Sequence, residues 1–261
     1  MKNVSSVYGP VKSWRVGWSL GIDLICENSV CSFNCSYCQL GFIQDRTAVR
    51  REFIPLEKLQ EEFRNSNWKK SDIVTFSGSG EPTLALNLRE AIRWIQDFSG
   101  KPVLVLTNGT LLEDSEVRKD LAGAERVYIK LDAADEKTLQ IVNRPVEGIT
   151  LAGIVSGAEK FRAEFKNYLG LQFMILPNSR VDLEDYARIA RRISPDEIQV
   201  NTPTRPYPDD WYLDSRGSHD GVDYPARPLK MVSSERIENI VKELKEKTGL
   251  ENISSVYDRK P

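Results

Sequence analysis

The sequence predicts an α/β protein in which helices pack outside a parallel β-sheet, and three observations carry that expectation. Six short apolar runs with strand character lie between residues 19 and 202, separated by helix-period segments or by connections of crossover length. The chain has 261 residues and is 40% hydrophobic, which suits one globular domain with a sizeable core. The glycine-rich and polar motifs stand directly after strand-like runs, where the carboxyl ends of parallel strands gather ligands.

Residues 1–18 read as a lead punctuated by proline and glycine, with Trp14 and Trp18 expected to plug one end of the core. Residues 19–26 alternate as a strand, and Leu20, Ile22, Leu24 and Cys26 share its apolar face. That parity makes Cys26 a small buried hydrophobe. Pro55 can open a helix running to about Phe63, with Leu56, Leu59 and Phe63 on one side. The strand 73–76 ends in Ser77-Gly78-Ser79-Gly80. In the helix after it, Leu88, Ala91, Ile92 and Ile95 fall at i, i+3, i+4 and i+7. A third strand spans 103–106, followed by an Asn108-Gly109 turn and a short helix over 112–121. The strand 126–131 leads through Asn143-Arg144-Pro145 to a helix with Leu151, Ile154, Val155 and Ala158 on one side. Residues 169–176 form a strand closed by Pro177-Asn178. Asp182 is suited to cap the helix lined by Leu183, Tyr186, Ala187 and Ala190. The last strand is 198–202. Residues 203–232 are rich in proline and aspartate, with Trp211, Tyr212 and Tyr224 interspersed, and read as a long lid or substrate gate. An amphipathic helix follows, with Ile237, Ile240, Val241 and Leu244 inward and a stop near Gly249. The expected organisation is a core over 1–205, including the lead, with the loop and helix of 206–261 packed on the same domain.

Three of the four cysteines lie in Cys31-Ser-Phe-Asn-Cys35-Ser-Tyr37-Cys38, a C-x3-C-x2-C spacing that lets three thiolates converge on one object. A cube of four irons is usually ligated by four thiolates, so a loop supplying three leaves one iron open. The spacing, with an aromatic just before the third cysteine, resembles the signature of the radical S-adenosylmethionine (radical SAM) superfamily. Further motifs follow in that family's order, in a style similar to the wyosine-tRNA synthase-like iron–sulfur oxidoreductases. The resemblance implies a partial (β/α)6 barrel of the TIM type, with the C-terminal loop and helix as an extension. It also implies a [4Fe-4S] cluster held by Cys31, Cys35 and Cys38, S-adenosyl-L-methionine as cofactor, and an electron from a flavodoxin or ferredoxin. The 5′-deoxyadenosyl radical made from the cofactor would then take hydrogen from a substrate.

The same resemblance distributes roles to other residues. Ser77-Gly78-Ser79-Gly80-Glu81-Pro82-Thr83 is similar to the family's glycine-glycine-glutamate motif, so Ser79, Gly80 and Glu81 are expected at the methionyl amino group. Asn108 is expected at the ribose or carboxylate, although Asn-Gly is equally an ordinary turn, and Tyr37 is expected near the adenine. Tyr128, Lys130 and Asp132 share one strand face. Lys130 and Asp132 inside a barrel would need partners, which a zwitterionic methionine moiety offers: its carboxylate to Lys130, its ammonium or the ribose to Asp132. A mutual Lys–Asp surface pair is the plain alternative. Gln199, Asn201 and Arg205 share parity on the last strand, and Asn201-Thr-Pro-Thr-Arg205-Pro resembles a stretch of the wyosine-type subgroup. Asn201 and Arg205 are therefore substrate-side candidates, with Arg144 a weaker one. His219, in the long loop, reads as solvated rather than as an acid–base group. Arg46, Arg50 and Arg51 are either solvated surface or the first cations that an anionic substrate meets.

Composition and absences narrow the function. The formal net charge of -2 gives no global drive toward nucleic acid or anionic membrane, so RNA as substrate would need a local basic patch. No apolar run is long enough to cross a bilayer, and a cytoplasmic, reducing setting suits thiolates. No cysteine follows Cys38, which argues against auxiliary clusters, sulfur insertion and methyl transfer through a C-terminal cysteine. The lead is too short for a cobalamin-binding domain. The second cysteine set usual in wyosine synthases is missing here. Three readings stay open: a self-contained radical SAM enzyme acting on a nucleoside, RNA or small metabolite; an activase for a glycyl-radical enzyme; and a zinc-stabilised binding module with Cys26 as fourth ligand. Activases commonly carry C-x-N after the third cysteine, where this chain has Cys38-Gln39-Leu40-Gly41. Zinc knuckles usually split their cysteines into two separated pairs.

Overall fold

The computed structural model describes residues 4–179, 182–217 and 222–258. An antiparallel hairpin, β1 (Val7–Ser13) and β2 (Gly17–Ile22), comes first. The two-residue strands β3 (Val30–Cys31) and β4 (Asp45–Arg46) bracket the cysteine loop. Strands and helices then alternate through α1 (Leu56–Arg64), β5 (Ile73–Phe76), α2 (Leu88–Ser99), β6 (Val103–Thr107), α3 (Ser115–Leu121) and β7 (Arg126–Lys130). The series continues with α4 (Glu136–Val142), α5 (Leu151–Glu164), β8 (Tyr168–Met174), α6 (Leu183–Ile193) and β9 (Glu197–Asn201). A small ribbon of β10 (Tyr207–Pro208) and β11 (Ala226–Arg227) precedes α7 (Ser234–Thr248) and β12 (Ile253–Ser255). The main sheet runs β1-β2-β5-β6-β7-β8-β9-β12, and every pairing from β2 onward is parallel.

Side-chain alternation divides the sheet into an apolar outer face and a largely polar inner one. Leu20, Ile22, Val74, Phe76, Val105, Val127, Ile129, Leu171, Phe173 and Val200 are buried in one core with Leu88, Ile95, Ile154, Phe161 and Ile189 of the helices. Inside, Ile73, Leu104 and Tyr128 form a small plug. Ser19 and Thr75 hydrogen-bond each other at 2.7 Å, and Tyr128 Oη donates to Glu197 at 2.6 Å. The sheet must be curved. Arg15, in the β1–β2 turn, donates to Gln199 Oε1 at 3.0 Å and Asn201 Oδ1 at 3.1 Å on β9. In a flat sheet, five strand spacings would put β9 roughly 24 Å from β2, far beyond the reach of one arginine.

The structure adds elements the sequence pattern did not announce. Part of the lead is β1, whose Pro10 sits on the sheet edge beside a register shift between Tyr8 and Val11. Trp18 does not plug the core; it is 48% exposed, and Val16 packs near the interior plug instead. Strand β2 stops at Ile22, so Leu24 and Cys26 reach their buried positions from a turn, with Cys26 at a φ of 65°. Helix α4 is capped by Asp135, whose side chain accepts from Thr138 N–H, and β12 extends the sheet beyond β9. Part of the long 203–232 segment is the β10–β11 ribbon. Asp182 caps α6 through the N–H groups of Glu184 and Asp185, and α7 ends at Gly249 with a φ of 71°.

One buried ion pair ties that long segment to the mouth of the barrel. Asp23, just past β2, accepts from Ile25 and Cys26 N–H through Oδ1, at 3.0 and 3.1 Å. Its Oδ2 accepts from Ser79 Oγ at 2.6 Å and from Arg216 Nη1 at 2.8 Å. Both partners are buried, and Arg216 also donates to the Ser5 carbonyl at 3.0 Å. Removing one partner of such a pair leaves an uncompensated charge and costs about 3–5 kcal/mol. Arg216→Ala is therefore expected to lower the urea unfolding free energy of the metal-free protein by about that amount. A loss within about 0.5 kcal/mol, the usual range of a surface substitution, would contradict it.

Candidate active site

The cysteine loop is docked by backbone contacts on two sides. Val30 N–H donates to the Ser79 carbonyl at 2.9 Å, and Glu81 N–H donates to the Val30 carbonyl at 3.0 Å. A Cβ on Gly80 would lie 1.7 Å from the Val30 oxygen, so only glycine permits this approach. On the other side, the end of α4 holds the loop: Asn34 N–H donates to Asn143 O at 2.9 Å, Ser36 N–H to Val142 O at 2.8 Å, and Val146 N–H to Ser32 O at 2.9 Å.

This docking holds Cys31, Cys35 and Cys38 on one clamped loop, each partly buried. Burial pushes all three thiols up, Cys35 to about 12 and Cys31 well above its ordinary value. Charge on Cys38 raises the other two further, while Lys130 pulls Cys35 and Cys38 down. Cys31 Sγ accepts from Phe33 N–H at 3.4 Å and Asn108 Nδ2 at 3.5 Å, and Cys35 Sγ accepts from Asn143 Nδ2 at 3.4 Å. Three sulfur donors from one loop, two of them already met by N–H groups, form a set suited to an iron–sulfur cluster. Among the described residues, no three His, Cys, Asp or Glu side chains are gathered tightly enough to clasp a single metal ion. Cys26 is fully buried in the core, with its thiol donating to the Asp23 carbonyl at 3.0 Å.

The strand ends supply the rest. Glu81 is buried; Oε1 accepts from Thr83 N–H, Thr83 Oγ1 and Thr107 Oγ1, and Oε2 accepts from Asn108 N–H at 2.7 Å. Burial raises its carboxyl, and the bonds from Thr107, Asn108 and Thr83 pull it back. Asn108 Nδ2 also donates to Ser32 Oγ at 2.8 Å. Ser79 spends its hydroxyl on Asp23. Asp132 is buried, with Oδ1 accepting from Met174 N–H at 2.8 Å and Lys130 Nζ at 3.4 Å from it. Asp132 Oδ2 accepts from Tyr37 Oη and from Asn143 Nδ2, the latter at 2.7 Å. Lys130 Nζ lies 5.0 Å from the centre of the Tyr37 ring. Burial and the Asp132 charge push the Tyr37 phenol well above its ordinary value.

The substrate-side candidates separate. Asn201 lies inside with Gln199 against Arg15, whereas Arg205 donates to Gln39 beside Cys38. Arg144 is exposed at a φ of 49°, with Arg46 Nη2 donating to its carbonyl at 3.0 Å. Arg50 pairs with Asp120 and Arg51 with Asp45, so both are committed to local ion pairs. His219 lies outside the described residues. Sequence reading missed Asn143, Arg15 and the Asp23–Arg216 pair. Only Asn143 carried a signal, as the residue before Arg144-Pro145. It also missed Tyr207, whose ring stacks under Arg227 at 4.5 Å and whose phenol is pushed up mainly by burial and then by Cys38.

Residues 28–193 match the profile of the Radical SAM superfamily. A UPF0026 protein of Synechocystis is 43% identical over 94% of this chain and 94% of its own length. Among solved structures, TYW1 with a lysine-pyruvate adduct bound is similar at a TM-score of 0.64 and 17% identity, over 89% of this chain and 75% of its own. The native form of anSMEcpe with bound AdoMet is similar at a TM-score of 0.61 and 17% identity, over 92% of this chain and 64% of its own. Those structural likenesses share the fold described above, a partial TIM barrel.

The Gly80 contact yields a direct test. Gly80→Ala must displace Val30 and the loop behind it, so iron bound on anaerobic reconstitution is expected to fall severalfold. Gly123→Ala, where an added Cβ meets only ordinary contacts at 3.7 and 3.8 Å, serves as control. Equal iron in the two variants would contradict the docking role of Gly80.

Proposed function

Because this chain belongs to the radical SAM superfamily, whose members are enzymes that use a [4Fe-4S] cluster and S-adenosyl-L-methionine, we propose that Cys31, Cys35 and Cys38 hold that cluster at the mouth of the barrel. When bound, the cluster would supply one-electron reduction of the cofactor's sulfonium, the chemistry that lets the cofactor's adenosyl part take hydrogen from a substrate. The observation that carries the reading is the clamping of the cysteine loop between the Gly80–Glu81 backbone and the end of α4, with all three of its thiols partly buried.

The chain's own residues orient the partners and exclude water. Glu81 Oε2 accepts one protein donor where Oε1 accepts three, which leaves it the oxygen suited to the methionyl ammonium. Lys130, partly exposed beside Tyr37, is assigned to the methionyl carboxylate. Both Asp132 oxygens already serve protein donors, so its role is to hold Tyr37, Asn143 and Lys130 in place. Asn108 orients Ser32 and Cys31 in the same way. Asn201 inside and Arg205 near the Cys38 segment are assigned to the substrate, a nucleoside, RNA or small metabolite. The electron is assigned to a flavodoxin or ferredoxin. Residues 206–261 are read as one unit with 1–205, supported by the pairing of β12 with β9 and by the Asp23–Arg216 bond.

Anaerobic reconstitution should load about four irons per chain. Dithionite and S-adenosylmethionine should then yield 5′-deoxyadenosine by chromatography. Cys35→Ala should abolish both, and product from that variant would refute the assignment. Glu81→Gln should weaken cofactor binding by about tenfold, the effect of losing about 1.4 kcal/mol, with iron retained. Unchanged affinity in equilibrium dialysis would sink the ammonium role.

A further inference from the structure

Asn143 is buried at the end of α4, between the cysteine loop and Asp132. Its backbone oxygen accepts from Asn34 N–H, and its side-chain Nδ2 lies 2.7 Å from Asp132 Oδ2 and 3.4 Å from Cys35 Sγ. A carboxylate offers no proton to a carbonyl, so the amide must turn its NH2 toward Asp132, and the same NH2 meets the sulfur. The orientation leaves Asn143 Oδ1 buried without a hydrogen-bond partner among the described residues, an arrangement that costs about 1–3 kcal/mol. An apolar residue at this position would avoid that cost, so the Nδ2–H groups, not the carbonyl, explain an asparagine here. Arg144, next in the chain, takes the left-handed backbone at a φ of 49°, and its N–H bonds Leu139 O at 3.1 Å. That turn keeps the amide facing inward while the chain leaves.

We propose that Asn143 is a positioning residue that sets the reduction potential of the iron–sulfur group, through an N–H···S bond to Cys35 whose direction Asp132 fixes. The inference rests on the cluster reading above. Reduction adds one electron and no proton, and the added negative charge spreads onto the ligating sulfurs. A donor aimed at a sulfur favours the more negative state, so it raises the potential. Asn108 makes the weaker counterpart to Cys31, at 3.5 Å.

The test is a redox titration of the reconstituted full chain, followed by the paramagnetic signal of the reduced cluster, with iron and sulfide assayed on the same samples. Asn143→Leu, close in shape but without a donor, is expected to keep about four irons and to titrate at a lower potential than wild type. Asn143→Gln, which keeps the donor, should recover part of the shift. An unchanged or higher potential in Asn143→Leu with full iron would overturn the proposal. If Asn143→Leu fails to hold iron, the wild-type protein decides: its iron–thiolate stretching bands should move on transfer to deuterated buffer, and bands that stay fixed would overturn it. A wild type that binds no iron would overturn the cluster reading itself, a result separable from an unmoved potential.

Discussion

The contact between Val30 and the Gly80–Glu81 backbone decides where three sulfurs lie, and much of the site follows from it. Glu81 uses its N–H to hold Val30 and its carboxylate to hold Thr107 and Asn108; Asn108 then reaches Ser32 and Cys31. One unbroken series of bonds thus joins the ends of β5 and β6 to the cysteine loop. A second series arrives from β7, where Asp132 holds Tyr37 and Asn143, and Asn143 meets Cys35. A loop without long regular structure is held rigid because the strand ends on both sides are rigid. Such preorganisation matters in a site where about an ångström of misplacement can cost a hundredfold in rate.

The barrel interior follows a different rule from its outer face. Outside, apolar side chains pack beneath helices and tolerate exchange of similar volumes. Inside, Gln199 joins Arg15, Gln172 and Glu197, while Glu197 also receives Tyr128 and Ser254. Buried polar groups of this kind favour the fold only when each is satisfied. The reward is specificity of curvature: Arg15 finds its acceptors only if the hairpin and β9 face each other across the lumen.

Long periodic segments were legible in the sequence because the period alone identifies them. The helices over 88–99 and 183–193 are of this kind, while β2, β5, β6, β7, β8 and β9 stood out as apolar runs bounded by turn residues. Short pieces were not: β12 is three residues and α4 is seven, too little for a period to declare itself. In the site, the three cysteines and Glu81 were legible as a spacing and a motif. Gly80 was legible as a glycine but for a different reason; its missing side chain admits Val30. Asn143 was passed over for Arg144, since nothing in a linear reading links residue 143 to Cys35, which lies 108 positions earlier. Arg15 was invisible in the same way, its acceptors being more than 180 residues distant.

The bond between Asp23 and Arg216 also has a history in time. Its partners lie 193 residues apart. A ribosome adding 5–20 residues per second needs roughly ten to forty seconds to cover that span. Throughout that interval the cysteines have been made, yet the carboxylate behind Ser79 still lacks its guanidinium. The carboxylate that fixes Ser79, the residue against which Val30 docks, therefore waits unpaired while the cysteine loop itself is already made.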